Sequence, residues 1–256
     1  MLLIIGLGLD TKDLSVKALE GLKGSSVILL DQHTNRVSEE YIDYIEKESG
    51  KAVRMLSRKD LEENIRDTIA EAKNSNVSLL VSGDPFIATT HMIILDAANK
   101  DGIEWEVVHG SSILTAAIGE SRLSPYRFGQ VTTIPFWTKS YKPTSFMDTI
   151  SRNMAAKAHT IVLLDYDYSK GAGLGVRDAL ECLLAASREK GAGISGSTEV
   201  ISLGDIGKTT QVVVYSQIDR MLDISESLEG RIFTLIIPAE LNFAEKEATR
   251  QIKTLP

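Results

Sequence analysis

Short apolar runs rich in β-branched residues alternate with amphipathic helical patterns through most of the chain. In the first half, these runs predict strands that are separated by enough residues for a crossover helix. Alternation of this kind favours a mostly parallel sheet that is covered by helices on both faces. The predicted strands are 2–5, 27–30, 52–56, 77–81 and 105–108, and the predicted helices are 15–23, 38–48, 59–73 and 90–100.

The pattern changes after residues 119–130, which lose their periodicity and are interpreted as a linker. Two of the later strands, 200–203 and 211–215, follow each other too closely for a crossover helix, so they predict a hairpin and a mixed sheet. The fold class is therefore α/β with two domains, residues 1–124 and 125–256. The other predicted elements are strands 131–134, 160–164 and 232–237, and helices 145–156, 174–189 and 240–252.

The composition indicates a globular protein, because 43% of the 256 residues are hydrophobic. No apolar run is as long as a membrane span, and the N-terminus lacks the features of a secretory signal. The single cysteine, Cys182, lies in a helical pattern and is interpreted as a small core residue; one cysteine cannot form an internal disulfide, which suits a reducing cytoplasm. The net charge of −7 disfavours a general nucleic-acid binder. We therefore expect a cytoplasmic protein with no nucleic-acid or membrane partner.

Three predicted strands end in turns of small or turn-forming residues, at 6–9, 82–85 and 109–113. The carboxyl ends of parallel strands share one edge of a sheet, where α/β proteins bind ligands, so these turns predict a ligand-binding rim. The alternative is that glycine and proline only end the strands. Asp84 is the candidate carboxylate, because the proline after it favours extended backbone and leaves its side chain free to cap amides or contact a ligand. His91 and His109 are interpreted as structural hydrogen-bonding groups.

A dinucleotide-binding site is an alternative. Gly6 and Gly8 follow a strand, but Thr11 stands where the third glycine of the fingerprint would be. Asp31, at the end of the second predicted strand, occupies the place of a ribose-binding acid. The sequence contains no Walker loop, no nucleophile elbow and no metal-ligand spacing among its histidines, so no metal is expected.

Several blocks resemble the diphthine synthase family, a branch of the tetrapyrrole methylases. The most specific block is Ala-Thr-Thr-His at 88–91, which follows Ser-Gly-Asp-Pro at 82–85. Further blocks are Gly-Leu-Gly-Leu at 6–9, Leu-Ser-Arg at 56–58, His-Gly-Ser-Ser-Ile at 109–113, Pro-Thr-Ser-Phe at 143–146 and Leu-Leu-Asp at 163–165. The C-terminal family pattern departs at 238–242, which reads Pro-Ala-Glu-Leu-Asn where a glycine and a histidine are usual.

The resemblance implies a two-domain α/β fold of the tetrapyrrole-methylase type, usually a homodimer, with S-adenosylmethionine in the cleft between the domains. It implies transfer of methyl groups to the amine of an aminocarboxypropyl-histidine on translation elongation factor 2, during diphthamide biosynthesis, with S-adenosylhomocysteine as the product. An activated sulfonium needs alignment more than acid–base chemistry, so no catalytic residue is assigned. The implied cofactor-binding residues are Leu9, Asp84, Ile87, Ser112, Ile113, Leu164, Ile206 and Thr234.

A loop after the sixth predicted strand is rich in aromatic residues. Aromatic faces stabilise cations, so this loop is a candidate contact for a quaternary ammonium product. The alternative is that these aromatic residues lie in the core or at a dimer interface. Lys139 and Lys142 in the same loop are candidate contacts with elongation factor 2. The aromatic residues are Phe136, Trp137, Tyr141 and Phe146.

Two other functions remain open from the sequence. One is a related methyltransferase that acts on a tetrapyrrole or on ribosomal RNA. The other is a non-catalytic nucleotide-binding module, because the proposed chemistry needs no diagnostic catalytic side chain.

Overall fold

The computed structural model describes residues 1–32, 37–167 and 171–252. The chain divides into two compact units, Met1–Ile113 and Leu114–Pro256. This division falls earlier in the chain than the predicted boundary at 124/125.

The first unit contains a five-stranded sheet in the order β3-β2-β4-β1-β5, in which all neighbouring strands are parallel. Parallel pairing confirms the prediction from the alternating pattern. The strands are β1 (Leu2–Gly6), β2 (Val27–Asp31), β3 (Val53–Leu56), β4 (Val77–Val81) and β5 (Trp105–Val108), and the helices are α1 (Val16–Gly24), α2 (Glu39–Ser49), α3 (Arg58–Glu62), α4 (Ile65–Ile69) and α5 (Met92–Lys100).

Helices cover both faces of this sheet, because alternate residues of each strand belong to different apolar clusters. Ile4 of β1 packs in a cluster with Ile94 of α5. Its neighbour Ile5 packs in a second cluster with Leu22 of α1 and Ile45 of α2. Successive side chains of a strand point to opposite faces, so these clusters form two separate apolar layers.

The predicted helix 59–73 is wrong as a single helix, because α3 ends at Glu62 and α4 begins at Ile65. Asn64 between them has φ −113° and ψ 22°, outside the helical range. The Thr68 hydroxyl donates hydrogen bonds to the carbonyls of Asp60 and Asn64, so side-chain bonds compete with a regular helix here.

The second unit contains a mixed five-stranded sheet in the order β11-β10-β12-β7-β6. Its β10–β11 pair is antiparallel, which confirms the predicted hairpin. The elements are α6 (Ile113–Glu120), β6 (Thr132–Ile134), α7 (Ser145–Ala155), β7 (Thr160–Leu164), β8 (Tyr166–Asp167), β9 (Ala172–Gly173), α8 (Val176–Lys190), β10 (Glu199–Gly204), β11 (Val212–Gln217), α9 (Ile218–Ile224), β12 (Phe233–Ile237) and α10 (Phe243–Thr249).

One core of this unit lies between its sheet and the helices α7, α8 and α9. Cys182 of α8 is buried in this core, as predicted, and burial raises the pKa of its thiol to about 11. The sequence analysis missed two short helices, α6 and α9. Helix α6 begins at the last residue of the predicted 109–113 turn, and α9 begins directly after β11. None of the helices in the described residues has both the length and the apolarity needed to cross a membrane.

Candidate functional site

Three turns after β1, β4 and β5 meet at one edge of the first sheet. Gly8 and Gly83 exchange backbone hydrogen bonds, with Gly8 N donating at 3.1 Å and Gly83 N donating at 2.9 Å. Leu7 N also donates to the carbonyl of Val81 at 2.8 Å. The turns predicted as a ligand rim therefore form a single backbone structure, which we call the rim.

The rim needs glycine at two positions because its turns approach closely. A Cβ on Gly110 would lie 2.5 Å from the carbonyl oxygen of Gly83 and 2.8 Å from that of Gly6. A Cβ on Gly6 would lie 2.6 Å from both Gly83 O and Gly110 N. These glycines therefore do more than end strands, because any side chain would push the turns apart.

Asp84 is held inside the rim by two hydrogen bonds. Its Oδ1 accepts from the backbone N–H of Phe86 at 3.0 Å, so the expected capping of a nearby amide is confirmed. Its Oδ2 lies 2.7 Å from His109 Nδ1. The Asp84 side chain is 10% exposed, whereas that of His109 is 71% exposed. The pair thus joins a buried acid to an imidazole that faces solvent.

His91 is a buried side chain that holds the segment just after Asp84. Its Nδ1 donates to the carbonyl of Pro85 at 3.0 Å. Its Nε2 lies 3.0 Å from Asp31 Oδ2, an ion-pair distance without the alignment of a hydrogen bond. Both side chains are buried, and this burial argues against Asp31 as a ribose-binding acid.

The rim also carries the apolar residues expected to contact a cofactor. Leu9 is half-buried, and its N–H donates to Asp13 Oδ2 at 3.0 Å. Ile87 is 38% exposed, which leaves apolar surface available for a ligand. Ser112 is buried and Ile113 is half-buried at the start of α6. The rim thus presents glycine backbone, the exposed apolar side chain of Ile87 and the fixed carboxylate of Asp84. This combination fits a ligand that has both apolar and polar parts.

The three expected cofactor residues of the second unit lie near one edge of its own sheet. Thr234 of β12 pairs with Leu203 of β10 and with Leu163 of β7, so it lies between the ends of those strands. Leu164 is the half-buried last residue of β7. Ile206 is buried in the turn that follows β10. Strand pairing thus brings together residues that are far apart in the sequence.

Comparison with known proteins gives a consistent family. Residues 1–221 match the family model of Tetrapyrrole (Corrin/Porphyrin) Methylases. A diphthine synthase of Methanothermobacter thermautotrophicus is 35% identical, over 100% of this chain and 97% of that protein. The chain belongs to the diphthine synthase family. It is a methyltransferase of that family, and its predicted two-sheet α/β fold is confirmed.

Other members of the diphthine synthase family are similar over their full length. A crystal structure of a diphthine synthase has a TM-score of 0.87 at 31% identity and covers 98% of this chain and 96% of its own. An Arabidopsis thaliana protein named "probable diphthine methyl ester synthase" is 30% identical, over 96% of both chains.

The aromatic loop of this diphthine synthase family member separates into core and surface residues. Phe146 is buried in the core, and the half-buried Phe136 and Trp137 pack against that core. Tyr141 is 64% exposed. Lys142 Nζ lies 5.7 Å from the centroid of the Trp137 ring, a cation–π contact. Phe146 is therefore a packing residue, which favours the core alternative at that position.

The sequence analysis missed a buried charged network around Glu245. This carboxylate is ion-paired with Arg127, and it accepts hydrogen bonds from His159 Nε2 at 3.0 Å and from Ser124 N at 3.1 Å. Asn242 N donates to it at 3.0 Å and closes a capping box at the start of α10. Burial opposes ionisation, but the hydrogen bonds outweigh burial and keep the pKa of Glu245 below its ordinary value. The Asn-x-x-Glu spacing was the available signal.

His159 has one defined tautomer in this network. The N–H of Ala239 donates to its Nδ1 at 2.9 Å, so Nδ1 carries no proton and Nε2 donates to Glu245. Burial lowers the pKa of His159 below its ordinary value, although Glu245 acts in the opposite direction. The imidazole is therefore neutral at pH 7, with both nitrogens bonded inside the protein.

Proposed function

We propose that this chain transfers methyl groups from S-adenosylmethionine to the amine of the aminocarboxypropyl-histidine of translation elongation factor 2, in diphthamide biosynthesis. The observation that carries the proposal is full-length similarity to diphthine synthases. The rim of fixed turns adds support, because three of the sequence blocks that carry the resemblance, at 6–9, 82–85 and 109–113, form this rim.

In this proposal, the cofactor is bound by the residues that the family resemblance implies. Leu9, Ile87 and Ile113 would contact its apolar parts, and Asp84 and Ser112 would contact polar groups. The implied cofactor-binding residues also include Leu164, Ile206 and Thr234. When bound, the cofactor would supply a methyl group that is activated by its positively charged sulfur. After transfer of this methyl group, the sulfur would remain as a thioether. The protein holds the acceptor nitrogen in line with that methyl group, and alignment of this kind lowers the barrier substantially.

The proposal includes the setting in which the enzyme works. The acceptor is a folded protein, elongation factor 2, and the enzyme is a homodimer in the cytoplasm. Among the residues that the structure describes, no cluster of three or more histidine, cysteine, aspartate or glutamate side chains suits a metal ion.

Mass spectrometry of the acceptor tests the proposal directly. Elongation factor 2 that carries the aminocarboxypropyl-histidine is incubated with the protein and methyl-labelled cofactor. We expect the label on the modified histidine, and no label on ribosomal RNA or a tetrapyrrole offered in parallel. Label on either of those acceptors alone would favour the related methyltransferases. Cofactor binding without any turnover would favour a non-catalytic module.

Methyl transfer to oxygen is a second candidate, favoured by the name of the Arabidopsis relative. The carboxylate next to the acceptor amine would then become a methyl ester. Mild alkaline treatment of the labelled product distinguishes the two outcomes, because it hydrolyses an ester and leaves N-methyl groups in place. Loss of part of the label would show that both atoms are methylated.

A further inference from the structure

We propose that His109, oriented by Asp84, is the general base that removes a proton from the acceptor amine before methyl transfer. The inference rests on the proposed N-methyltransferase function. An amine of this type is protonated at neutral pH, and an ammonium nitrogen has no lone pair to attack a methyl group. A base near the rim would supply the reactive form of the acceptor.

The geometry of the pair determines which imidazole nitrogen is available. A carboxylate only accepts hydrogen bonds, so His109 Nδ1 donates to Asp84 Oδ2 across 2.7 Å. The neutral ring therefore has its lone pair on Nε2. Asp84 is fixed by the Phe86 amide, and its side chain is 10% exposed, whereas 71% of the His109 side chain is open. The hydrogen bond to the fixed Asp84 carboxylate orients the imidazole ring, and the exposure of the ring leaves the basic nitrogen Nε2 accessible.

The other two histidines that the structure describes offer no such nitrogen. His159 is fully buried and uses Nδ1 and Nε2 for Ala239 and Glu245. His91 is buried, with Nδ1 on the Pro85 carbonyl and Nε2 against Asp31. Within residues 1–32, 37–167 and 171–252, His109 alone combines an orienting carboxylate with an exposed ring. A purely structural histidine would not need that exposure.

His109 also has the right neighbours for this role. It precedes Gly110, whose backbone lies against Gly6 and Gly83 in the rim. Its partner Asp84 is one of the proposed cofactor residues. Among the described residues, Asp84 is the charged group within ion-pair distance of the ring. The acceptor amine would thus meet the base beside the methyl donor.

The proton step balances without another reactant. The N–H bond of the ammonium breaks, its electron pair stays on nitrogen as the lone pair, and the proton moves to His109 Nε2. The lone pair then forms the new N–C bond while the S–C electron pair leaves with sulfur. The imidazolium releases its proton to water through its exposed side. Each N-methylation releases one proton, so the cycle can repeat.

Substitution of His109 by glutamine tests the proposal, because glutamine keeps a donor toward Asp84 but accepts no proton at neutral pH. We expect H109Q to lose about 100-fold in N-methylation rate at pH 7, within the range known for general bases. Calorimetry should show cofactor affinity within twofold of wild type. The rate of H109Q should rise steeply toward pH 10, because the amine then deprotonates in solution. Any methyl-ester formation should be unaffected, because a carboxylate needs no base.

The matched control is E106Q, on the same strand as the His109 turn. Glu106 is a half-buried residue that pairs with Lys17 at the surface, so E106Q should keep the wild-type rate and pH profile. A normal rate for H109Q at pH 7 would overturn the proposal. A loss that persists at pH 10, or one that parallels a loss of cofactor affinity, would overturn it as well.

Nitrogen NMR gives a readout that does not depend on turnover. The ¹⁵N shifts of His109 at pH 8 should show a protonated Nδ1 and an unprotonated Nε2, and D84N should change this tautomer distribution. The opposite tautomer in the wild-type protein would overturn the proposal. Wild-type protein that methylates no amine would overturn the proposed function itself, and the base role with it.

Discussion

Gly110 shows how one residue can control the shape of a binding edge. Its Cα faces the backbone of two other turns, and a methyl group there would lie 2.5 Å from the Gly83 carbonyl oxygen. Backbone cannot rotate away as a long side chain can, so the turns themselves would have to move. The sequence predicted that these turns share an edge, but the distances between them depend on strand order, which the sequence pattern does not give.

We predict that G110A destabilises the protein by about 1–3 kcal/mol, the usual cost of overpacking, and weakens cofactor binding more than tenfold. Denaturant unfolding and calorimetry measure the two effects. The control is G24A, at the end of α1, where an added Cβ meets nothing within 4 Å. G24A should change neither property appreciably. Equal behaviour of the two variants would show that the rim tolerates a side chain.

Exposed isoleucines allow a similar test of the cofactor surface. Ile87 in the rim and Ile93 in α5 are 38% and 41% exposed, but Ile87 alone belongs to the proposed cofactor set. We predict that I87S lowers the affinity for S-adenosylhomocysteine about tenfold, which corresponds to about 1.4 kcal/mol. I93S should leave it unchanged. Calorimetry with both variants decides, and equal affinities would remove Ile87 from the site.

At the scale of elements, Glu245 connects the start of α10 to residues 119–130, two segments that the sequence pattern did not relate to each other. Residues 119–130 were interpreted as a linker, yet α6 extends to Glu120, and Ser121 and Leu123 are buried. Arg127 in this segment is ion-paired with Glu245 at the start of α10. The interpretation failed because long-range contacts, rather than local periodicity, give this segment its structure.

We predict that E245Q lowers the free energy of unfolding by about 3 kcal/mol, because it leaves Arg127 without its partner in a mostly buried site. The control is E247Q on the same helix. Glu247 pairs with Arg250 at the surface, and such pairs contribute about 0–1 kcal/mol. Urea unfolding of both variants measures the difference. A small effect of E245Q would show that the network is solvated.

The pH dependence of stability should report on His159. Burial lowers its pKa below the ordinary value of 6.5, so the unfolded chain binds this proton more readily than the folded protein does. The stabilising contribution is complete above about pH 6.5 and is lost as pH falls toward the lower, folded-state pKa. We predict that H159Q makes the decline of stability between pH 7 and pH 5 less steep. An unchanged slope in H159Q would show that His159 does not cause this decline.

Much of the element pattern could be predicted, because apolar periodicity follows directly from burial. All five strands of the first sheet and the hairpin of the second were predicted in type. Two failures have local causes: the Thr68 hydroxyl bonds to carbonyls where the predicted helix 59–73 is interrupted, and α6 is too uniformly apolar to show a polar face. Burial of Phe146 also required knowledge of which face of α7 meets the sheet.

At the scale of the molecule, resemblance supplied what the physical pattern could not. The pattern predicted a ligand edge, and the blocks at 88–91 and 109–113 indicated which ligand and acceptor to expect.

We predict that cofactor at 100 times its dissociation constant stabilises the folded protein by about 2.7 kcal/mol. Thermal unfolding with S-adenosylhomocysteine and with a nicotinamide dinucleotide measures this. Stabilisation by the dinucleotide alone would reverse the assignment.

In the proposed function, elongation factor 2 is recognised by surface outside the cofactor residues. Lys139 and Lys142 are exposed in the loop after β6, and Lys142 lies near Trp137. We predict that the double variant K139E/K142E weakens binding of elongation factor 2 at least tenfold, because it reverses two charges, and leaves cofactor affinity within twofold.

The control is K47E/K100E, which reverses two exposed lysines on α2 and α5. Surface plasmon resonance at two salt concentrations measures the protein affinity, and calorimetry measures the cofactor affinity. Equal losses in the two double variants would indicate a general charge effect, and equal losses of both ligands in K139E/K142E would indicate damage to the fold.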